Sequence, residues 1–310
     1  MTDGRDLVGV LLMAHGTPAT PEEIPGFYTE IRRGRPPSPE LLDDLVRRYE
    51  AIGGTSPLQD RTRAQATALT AALDTRAPGR FVLRLGTKFA APRIEEAVAE
   101  LDRAGVSSAV GLVLAPHSST VSVGEYARRA EEAAAAQGRP FHLELVDHWH
   151  LAPGLVPLLA GRVLDALDRL PEADRAGAVV VFTAHSVPTG VVEAGDPYPA
   201  QVEETARAVA AEAGLERWSV AWQSAGRTEE PWLGPDLLAV LPALAAGGTT
   251  TSVVCPVGFV SDHLEILYDL DIEAAGVASA AGMTLTRTDS LNDDPAFADI
   301  LAGVVLEAAG

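Results

Sequence analysis

Cysteine is almost absent from the chain. The single residue, Cys255, stands in the apolar run Ser252-Val253-Val254-Cys255-Pro256. A lone thiol excludes an intrachain disulfide and an iron–sulfur cluster held by four cysteines of this chain, so Cys255 reads as a small buried hydrophobe. Basic residues are outnumbered: 24 Lys and Arg stand against 43 Asp and Glu, a formal net charge of −19. Phosphate backbones repel such a chain, which argues against nucleic acid as a partner. Long hydrophobic runs are also missing, and none approaches the roughly 18–20 apolar residues of a membrane span. At the N-terminus Asp3 and Asp6 offset Arg5, and the short apolar run Leu7–Ala14 leads into His15-Gly16-Thr17-Pro18. That pattern is a first strand rather than a secretory signal, and a soluble cytoplasmic protein without stable membrane insertion is expected. Nucleotide-binding signatures are lacking too: Ile52-Gly53-Gly54-Thr55-Ser56-Pro57-Leu58 offers hydroxyl and backbone donors but no Walker pattern, and no Gly-x-Gly-x-x-Gly follows a strand.

What is present is regular alternation. The 310 residues, 47% hydrophobic and 22% charged, suffice for two domains of ordinary globular composition. Strand-like runs at Leu7–Ala14, Phe81–Gly86, Ala109–Ala115 and Phe141–Val146 are separated by helix-favouring segments. The second half repeats the scheme with strands at Ala178–Thr183, Trp218–Gln223, Thr251–Pro256 and Met283–Thr286, and with helices that include Asp262–Ala275 and Pro295–Ala308. This predicts an α/β protein with parallel sheets flanked by helices on both faces.

The halves echo each other. Leu11-Leu12-Met13-Ala14-His15-Gly16-Thr17-Pro18 matches Val181-Phe182-Thr183-Ala184-His185-Ser186-Val187-Pro188, an apolar strand, Ala-His, a small residue, one more residue and Pro. Later strands then end in proline turns, at Pro116 and at Pro256. Two echoes in the same order predict two similar Rossmann-like lobes, 1–150 and 151–310, with a cleft between them toward which the strand ends point His15 and His185.

Three features carry candidate chemistry. His185 ends a buried strand at the edge where open α/β sheets bind ligands, although by itself it reads equally well as a core histidine. In Ser261-Asp262-His263-Leu264-Glu265-Ile266-Leu267-Tyr268-Asp269-Leu270-Asp271-Ile272-Glu273, Asp262 and Glu265 resemble a capping box. Glu265, Asp269 and Glu273 recur every four residues, stacking carboxylates on one helix face. Such a row is either a solvated face or a path for protons or hydrated divalent cations, with His263 and His185 as nitrogen donors suited to Fe²⁺ or Co²⁺. Arg32, Arg33 and Arg35, with Arg47 and Arg48 beyond them, either pair with Glu22, Glu23, Asp43 and Asp44 or bind an acidic small molecule through bidentate forks.

With these residues in view, the chain resembles the ferrochelatases, and among them the water-soluble coproporphyrin III ferrochelatases of monoderm bacteria. The likeness runs through Leu12–Pro18, Ile31–Pro39, Arg48–Leu58, Leu114–Ser119, Thr183–Pro188 with Gly195-Asp196-Pro197-Tyr198, Trp222-Gln223-Ser224-Ala225-Gly226, Pro256–Val260 and His263–Asp269. It implies a chelatase-type pair of lobes and insertion of Fe²⁺ into a porphyrin, coproporphyrin III giving coproheme in haem biosynthesis, with no organic cofactor. By the same resemblance His185 and Glu265 are the catalytic pair that ligates incoming metal and takes up the displaced protons, and Asp269 and Glu273 are an acidic row behind it. Arg32, Arg33, Arg48, Ser56 and Tyr126 match positions that hold propionates or a regulatory divalent ion such as Mg²⁺. Many relatives carry tyrosine where this chain has His15, a substrate-side residue positioned to act as an axial ligand of product iron. The competing readings are a protoporphyrin IX ferrochelatase, a cobalt or nickel chelatase of another tetrapyrrole, and a non-enzymatic haem- or tetrapyrrole-binding protein. Nothing in the sequence requires assembly, so a monomer is expected.

Overall fold

The structure, a computed structural model, describes residues 7–310, so Asp3, Arg5 and Asp6 lie outside the described residues. Strands β1 (Val8–Ala14), β2 (Phe81–Thr87), β3 (Ser108–Val113) and β4 (His142–Leu145) form a parallel sheet in the order β2-β1-β3-β4. Strands β5 (Val179–His185), β6 (Trp218–Gln223), β7 (Thr251–Cys255) and β8 (Thr284–Arg287) form a second parallel sheet in the order β6-β5-β7-β8. The two orders are identical once the strands are matched in chain sequence, which is the physical form of the sequence echo. The middle strands β1 and β5 carry near-continuous apolar runs because parallel sheets are covered on both faces.

The chain divides into two compact units. One takes the described residues up to Pro116, with Thr120–Trp149 and Asn292–Gly310; the other takes His117–Ser119 and His150–Leu291. In the first, helices Ile94–Arg103 and Val123–Ala135 bury Ile94, Val98, Leu101, Val123 and Ala130 against Leu11 and Met13 of β1. Helices Leu58–Arg76 and Pro295–Ala309 also belong to this unit. The last helix is capped by Asp294, whose carboxylate accepts from Ala296 N at 2.7 Å, and its Phe297 ring packs 5.8 Å from Trp149. In the second unit, Leu237, Leu241, Leu270, Ala274 and Ala278 pack against Val179, Val181 and Val254. Helices Leu155–Asp168 and Tyr198–Glu212 belong to the same unit.

The expected C-terminal lobe of 151–310 therefore differs from the observed unit in its last helix. Helix Leu155–Asp168, which follows β4, joins the second unit, and helix Pro295–Ala309, which follows β8, joins the first. Each sheet thus receives a covering helix from beyond the other sheet's final strand, and a parallel sheet needs both faces covered. A second difference lies at Asp262–Ala275. In place of one regular helix there is a single α-turn, Leu264–Leu267, followed by a π-helix, Asp269–Ala274. The N–H groups of Ile272 and Glu273 both reach the Tyr268 carbonyl, at 3.2 and 2.9 Å. Such wide turns occur most often at functional sites. Among the described residues no helix is long and apolar enough to cross a membrane.

Cys255 is 1% exposed, and burial pushes its thiol up to about 12, with the Thr288 side chain acting in the opposite direction. It is an inert core residue, as the sequence predicts.

Gly258 shows how tightly the second sheet is built around its middle strand. A Cβ there would lie 2.5 Å from Ala184 Cβ and 2.8 Å from Ala184 Cα, one residue before His185. Backbone at that distance does not yield as a flexible side chain would. Gly258→Ala is expected to destabilise the protein by about 1–3 kcal/mol, the usual cost of overpacking, in urea unfolding; an unchanged midpoint would show that the strand end is loosely held.

Candidate active site

His15 and His185 stand at equivalent places, immediately after β1 and as the last residue of β5. In an open parallel sheet of this order, the carboxyl ends around the middle strand are where ligands are held. Both rings are fixed in the same way. The Nδ1–H of His15 donates to Gly16 O at 3.0 Å, and that of His185 to Ser186 O at 2.5 Å. This bond assigns the proton to Nδ1 and makes Nε2 the basic, ligating nitrogen.

In the second unit, His185 Nε2 lies 3.7 Å from Glu265 Oε1, and His263 Nε2 lies 3.8 Å from Glu265 Oε2. One carboxylate is therefore flanked by two imidazoles. The His263 ring is held by its Nδ1–H to Ser261 O at 2.9 Å and by Phe259, 5.0 Å away between centroids. Burial by itself lowers the His263 pKa, but hydrogen bonding and charge from Glu265, with the Ser261 carbonyl and the charge of Asp269, outweigh it and leave the imidazole raised. The π-helix places Asp269, 5% exposed, where it accepts a short hydrogen bond from Ser224 Oγ, while Glu273 is half-buried. Among the described residues no three His, Cys, Asp or Glu side chains are gathered into a metal cage. The His185–Glu265 arrangement is open, and Asp269 is engaged by Ser224.

The capping box expected at Asp262 and Glu265 is not formed. His263 is the cap position and makes no side-chain capping bond. Asp262 accepts instead from Ser290 Oγ at 2.7 Å and from Arg287 Nη2 at 3.3 Å, and Arg287 also grips Asp271 through two bonds of 2.7 and 3.0 Å. A charged guanidinium outcompetes a neutral backbone N–H for the Asp262 carboxylate, and Glu265 is left to face the histidines.

Several residues here were silent in the sequence. The Trp232 ring lies 6.3 Å from His185, tilted by 54°, its Nε1 donating to Thr228 Oγ1 at 2.8 Å. Gly226 makes room for it, because a Cβ there would be 2.3 Å from the indole. Tyr198 accepts from the main-chain N–H of His185, and its phenol is pushed upward by burial first and by the Glu265 charge second. Motif residues Gly226 and Tyr198 marked the neighbourhood, but neither revealed the contact.

The first unit collects the other candidates. The exposed His15 ring packs 4.8 Å from Phe89 and 6.0 Å from Phe27. Lys88, the chain's only lysine, holds its ammonium 5.2 Å from the rings of Phe89 and Tyr126. Burial depresses its pKa, Glu125 acts the other way, and Arg129, Arg33 and Arg128 add to the depression. A lone lysine among the 24 basic residues is the signal in the sequence that marks it. Tyr126 is buried, which raises its phenol. Arg32 lies 5.7 Å over the Tyr28 ring and Arg33 adopts φ +57°. Asp44 takes Arg47 and Arg48, the latter at 3.2 Å. Among the described residues Arg32, Arg33 and Arg35 have no carboxylate partner. Ser56 is buried and accepts from Leu58 N at 3.3 Å.

Paired 2-1-3-4 parallel sheets, with His185 ending β5 and His15 immediately beyond β1, define a duplicated α/β fold. The same fold occurs in a sirohydrochlorin chelatase from Bacillus subtilis subspecies spizizenii in complex with cobalt, with a TM-score of 0.56 over 98% of this chain and 95% of that one, at 11% identity. Sequence comparison is more specific. The Ferrochelatase family matches residues 7–309, and the chain belongs to that family. It is 45% identical over 305 residues to the coproporphyrin III ferrochelatase of Geobacillus thermodenitrificans, covering 98% of this chain and 96% of the relative. It is 44% identical to that of Bacillus subtilis, with 99% of each chain covered, and 46% identical to a ferrochelatase of Thermus thermophilus, with 97% and 99% covered.

The raised His263 pKa sets a pH dependence. A histidine whose folded value exceeds its unfolded value of about 6.5 adds stability that is fully present below that value and is lost as pH rises through the folded one. His263→Gln is therefore expected to lower the denaturation midpoint more at about pH 6 than at about pH 9. An equal loss at both would show that the Glu265 contact does not hold the proton.

Proposed function

We propose that this protein inserts Fe²⁺ into coproporphyrin III, with His185 and Glu265 as the catalytic pair. The observation that carries the reading is the 3.7 Å approach of His185 Nε2 to Glu265 Oε1, in a member of the ferrochelatase family. Insertion replaces two pyrrole N–H protons with one Fe²⁺, so the site must bind a metal weakly and accept two protons. With Nδ1–H committed to Ser186 O, His185 offers the Nε2 lone pair for either task. Glu265 supplies a hard oxygen donor and a second proton acceptor, and His263 beside it supports its charge. An open, incomplete ligand set suits a metal in transit. Asp269 and Glu273 continue the acidic row along the same segment, a route for the cation inward or for protons outward.

Arg32, Arg33, Arg48, Ser56 and Tyr126, joined by Lys88, are the substrate-binding set. The arginines unpaired with carboxylates and the single half-buried ammonium fit the four carboxylates of coproporphyrin better than the two of protoporphyrin. His15 lies beside them in the same unit, where it serves as a porphyrin contact and an axial ligand of the product iron. The names of the Geobacillus and Bacillus relatives support the same choice of substrate. A divalent cation such as Mg²⁺ would act here as a modulator at the arginine segment, and the protein is read as a cytoplasmic monomer.

Anaerobic Fe²⁺ insertion by the purified protein, followed by absorbance with coproporphyrin III and protoporphyrin IX in parallel, tests the proposal. Turnover with a clear preference for coproporphyrin III is expected. Equal rates would remove the carboxylate argument, and binding without turnover would point to a tetrapyrrole carrier. Arg32→Ala combined with Arg33→Ala is expected to raise KM about tenfold or more, since hydrogen bonds to charged groups contribute about 1.5–3 kcal/mol. An unchanged KM would take these arginines out of the site.

A further inference from the structure

Gln223 and Ser224, at the end of β6, touch both halves of the catalytic pair. The carbonyl of Gln223 accepts from Ser186 N at 2.8 Å, immediately beyond His185. Its side-chain Nε2 donates to the main-chain carbonyl of Glu265 at 2.9 Å. Ser224 Oγ then donates the short bond to Asp269. Two consecutive residues therefore tie the strand end bearing His185 to the turn bearing Glu265 and to the first residue of the π-helix.

Both residues carry a local cost. Ser224 adopts φ +60°, the left-handed region that a non-glycine residue occupies only under constraint. Gln223 is 3% exposed, and its Oε1 is buried with no hydrogen-bond partner. A buried unsatisfied acceptor and a strained backbone in adjacent residues are what a site retains when function requires the geometry.

We propose that Gln223 and Ser224 are positioning residues for metal insertion. Acting as a bracket, they set the separation of His185 from Glu265 and hold Asp269 in line behind the pair. This inference rests on the proposed function for its kinetic consequence, but the bracket itself is a statement about geometry.

Ser224→Gly separates this role from a structural one. Glycine accepts φ +60° freely, and that relief offsets part of the cost of losing the hydroxyl's bond to Asp269. The expected result is a small change in Tm, unchanged porphyrin affinity and a kcat lowered by about tenfold to a hundredfold, the usual penalty for misplacing reacting groups by about 1 Å. Ser224→Asn, which tolerates the left-handed region and keeps an N–H donor, should recover part of the lost kcat. Gln223→Leu, close in volume, should lower kcat with porphyrin binding intact. A kcat near the wild-type value in both Ser224→Gly and Gln223→Leu would overturn the proposal, as would a fall in Tm that accounts for the activity lost. Crystal structures of the wild type and Ser224→Gly provide a readout independent of turnover. A displaced Asp269 and an altered His185–Glu265 distance would support the bracket even if the wild type inserted no iron. Unmoved side chains would contradict it, however active the wild type proved.

Discussion

Glu265 is exposed enough to meet a substrate yet has an imidazole at either oxygen, at 3.7 and 3.8 Å. In the proposed reading, a carboxylate flanked by two imidazoles exchanges a metal for protons. Much of the second unit serves to maintain it. Strand β5 delivers His185, the Ser186 carbonyl fixes its tautomer, and Arg287 occupies Asp262 so that Glu265 is not spent on a helix cap. The π-helix turns Asp269 inward, and Gln223 and Ser224 tie the pieces together.

The duplicated sheet explains why there are two histidines in matching places. His185 ends β5, His15 immediately follows β1, and both turn Nδ1 onto the carbonyl of the next residue. What differs is the chain that follows. Between β1 and β2 the chain inserts helices Ile24–Ile31 and Pro39–Ala51, which bring Arg32, Arg33 and Arg48. After β7 it inserts the turn and π-helix, which bring Glu265, Asp269 and Glu273. One scaffold thus carries a cationic, aromatic face and an acidic one. In the proposed reading they hold the porphyrin's carboxylates and the incoming metal.

Period and composition made the architecture legible. Apolar runs of strand length alternating with Ala-rich helices left little choice but parallel sheets, and the Ala-His echo placed both histidines at strand ends. The helix after Asn292 groups with the first unit, which periodicity does not show, since it reports which face is apolar and not which sheet it covers. The π-helix was invisible for a related reason. Glu265, Asp269 and Glu273 at intervals of four fit a regular α-helix equally well, and the extra residue in the turn is dictated by tertiary contacts such as Ser224 with Asp269. Trp232, Lys88 and the Gln223–Ser224 bracket have the same character: ordinary residues in sequence that long-range contacts bring beside the histidines.

The most direct test of the account is a single-turnover experiment on His185→Ala, with porphyrin affinity measured on the same preparation by fluorescence. If His185 is the group that exchanges metal for protons, coproporphyrin III should bind with wild-type affinity while Fe²⁺ insertion falls by about 10²-fold or more, in keeping with the loss of a positioned acid–base group. Near-normal insertion by the variant, with binding intact, would contradict the assignment and move the chemistry elsewhere in the protein.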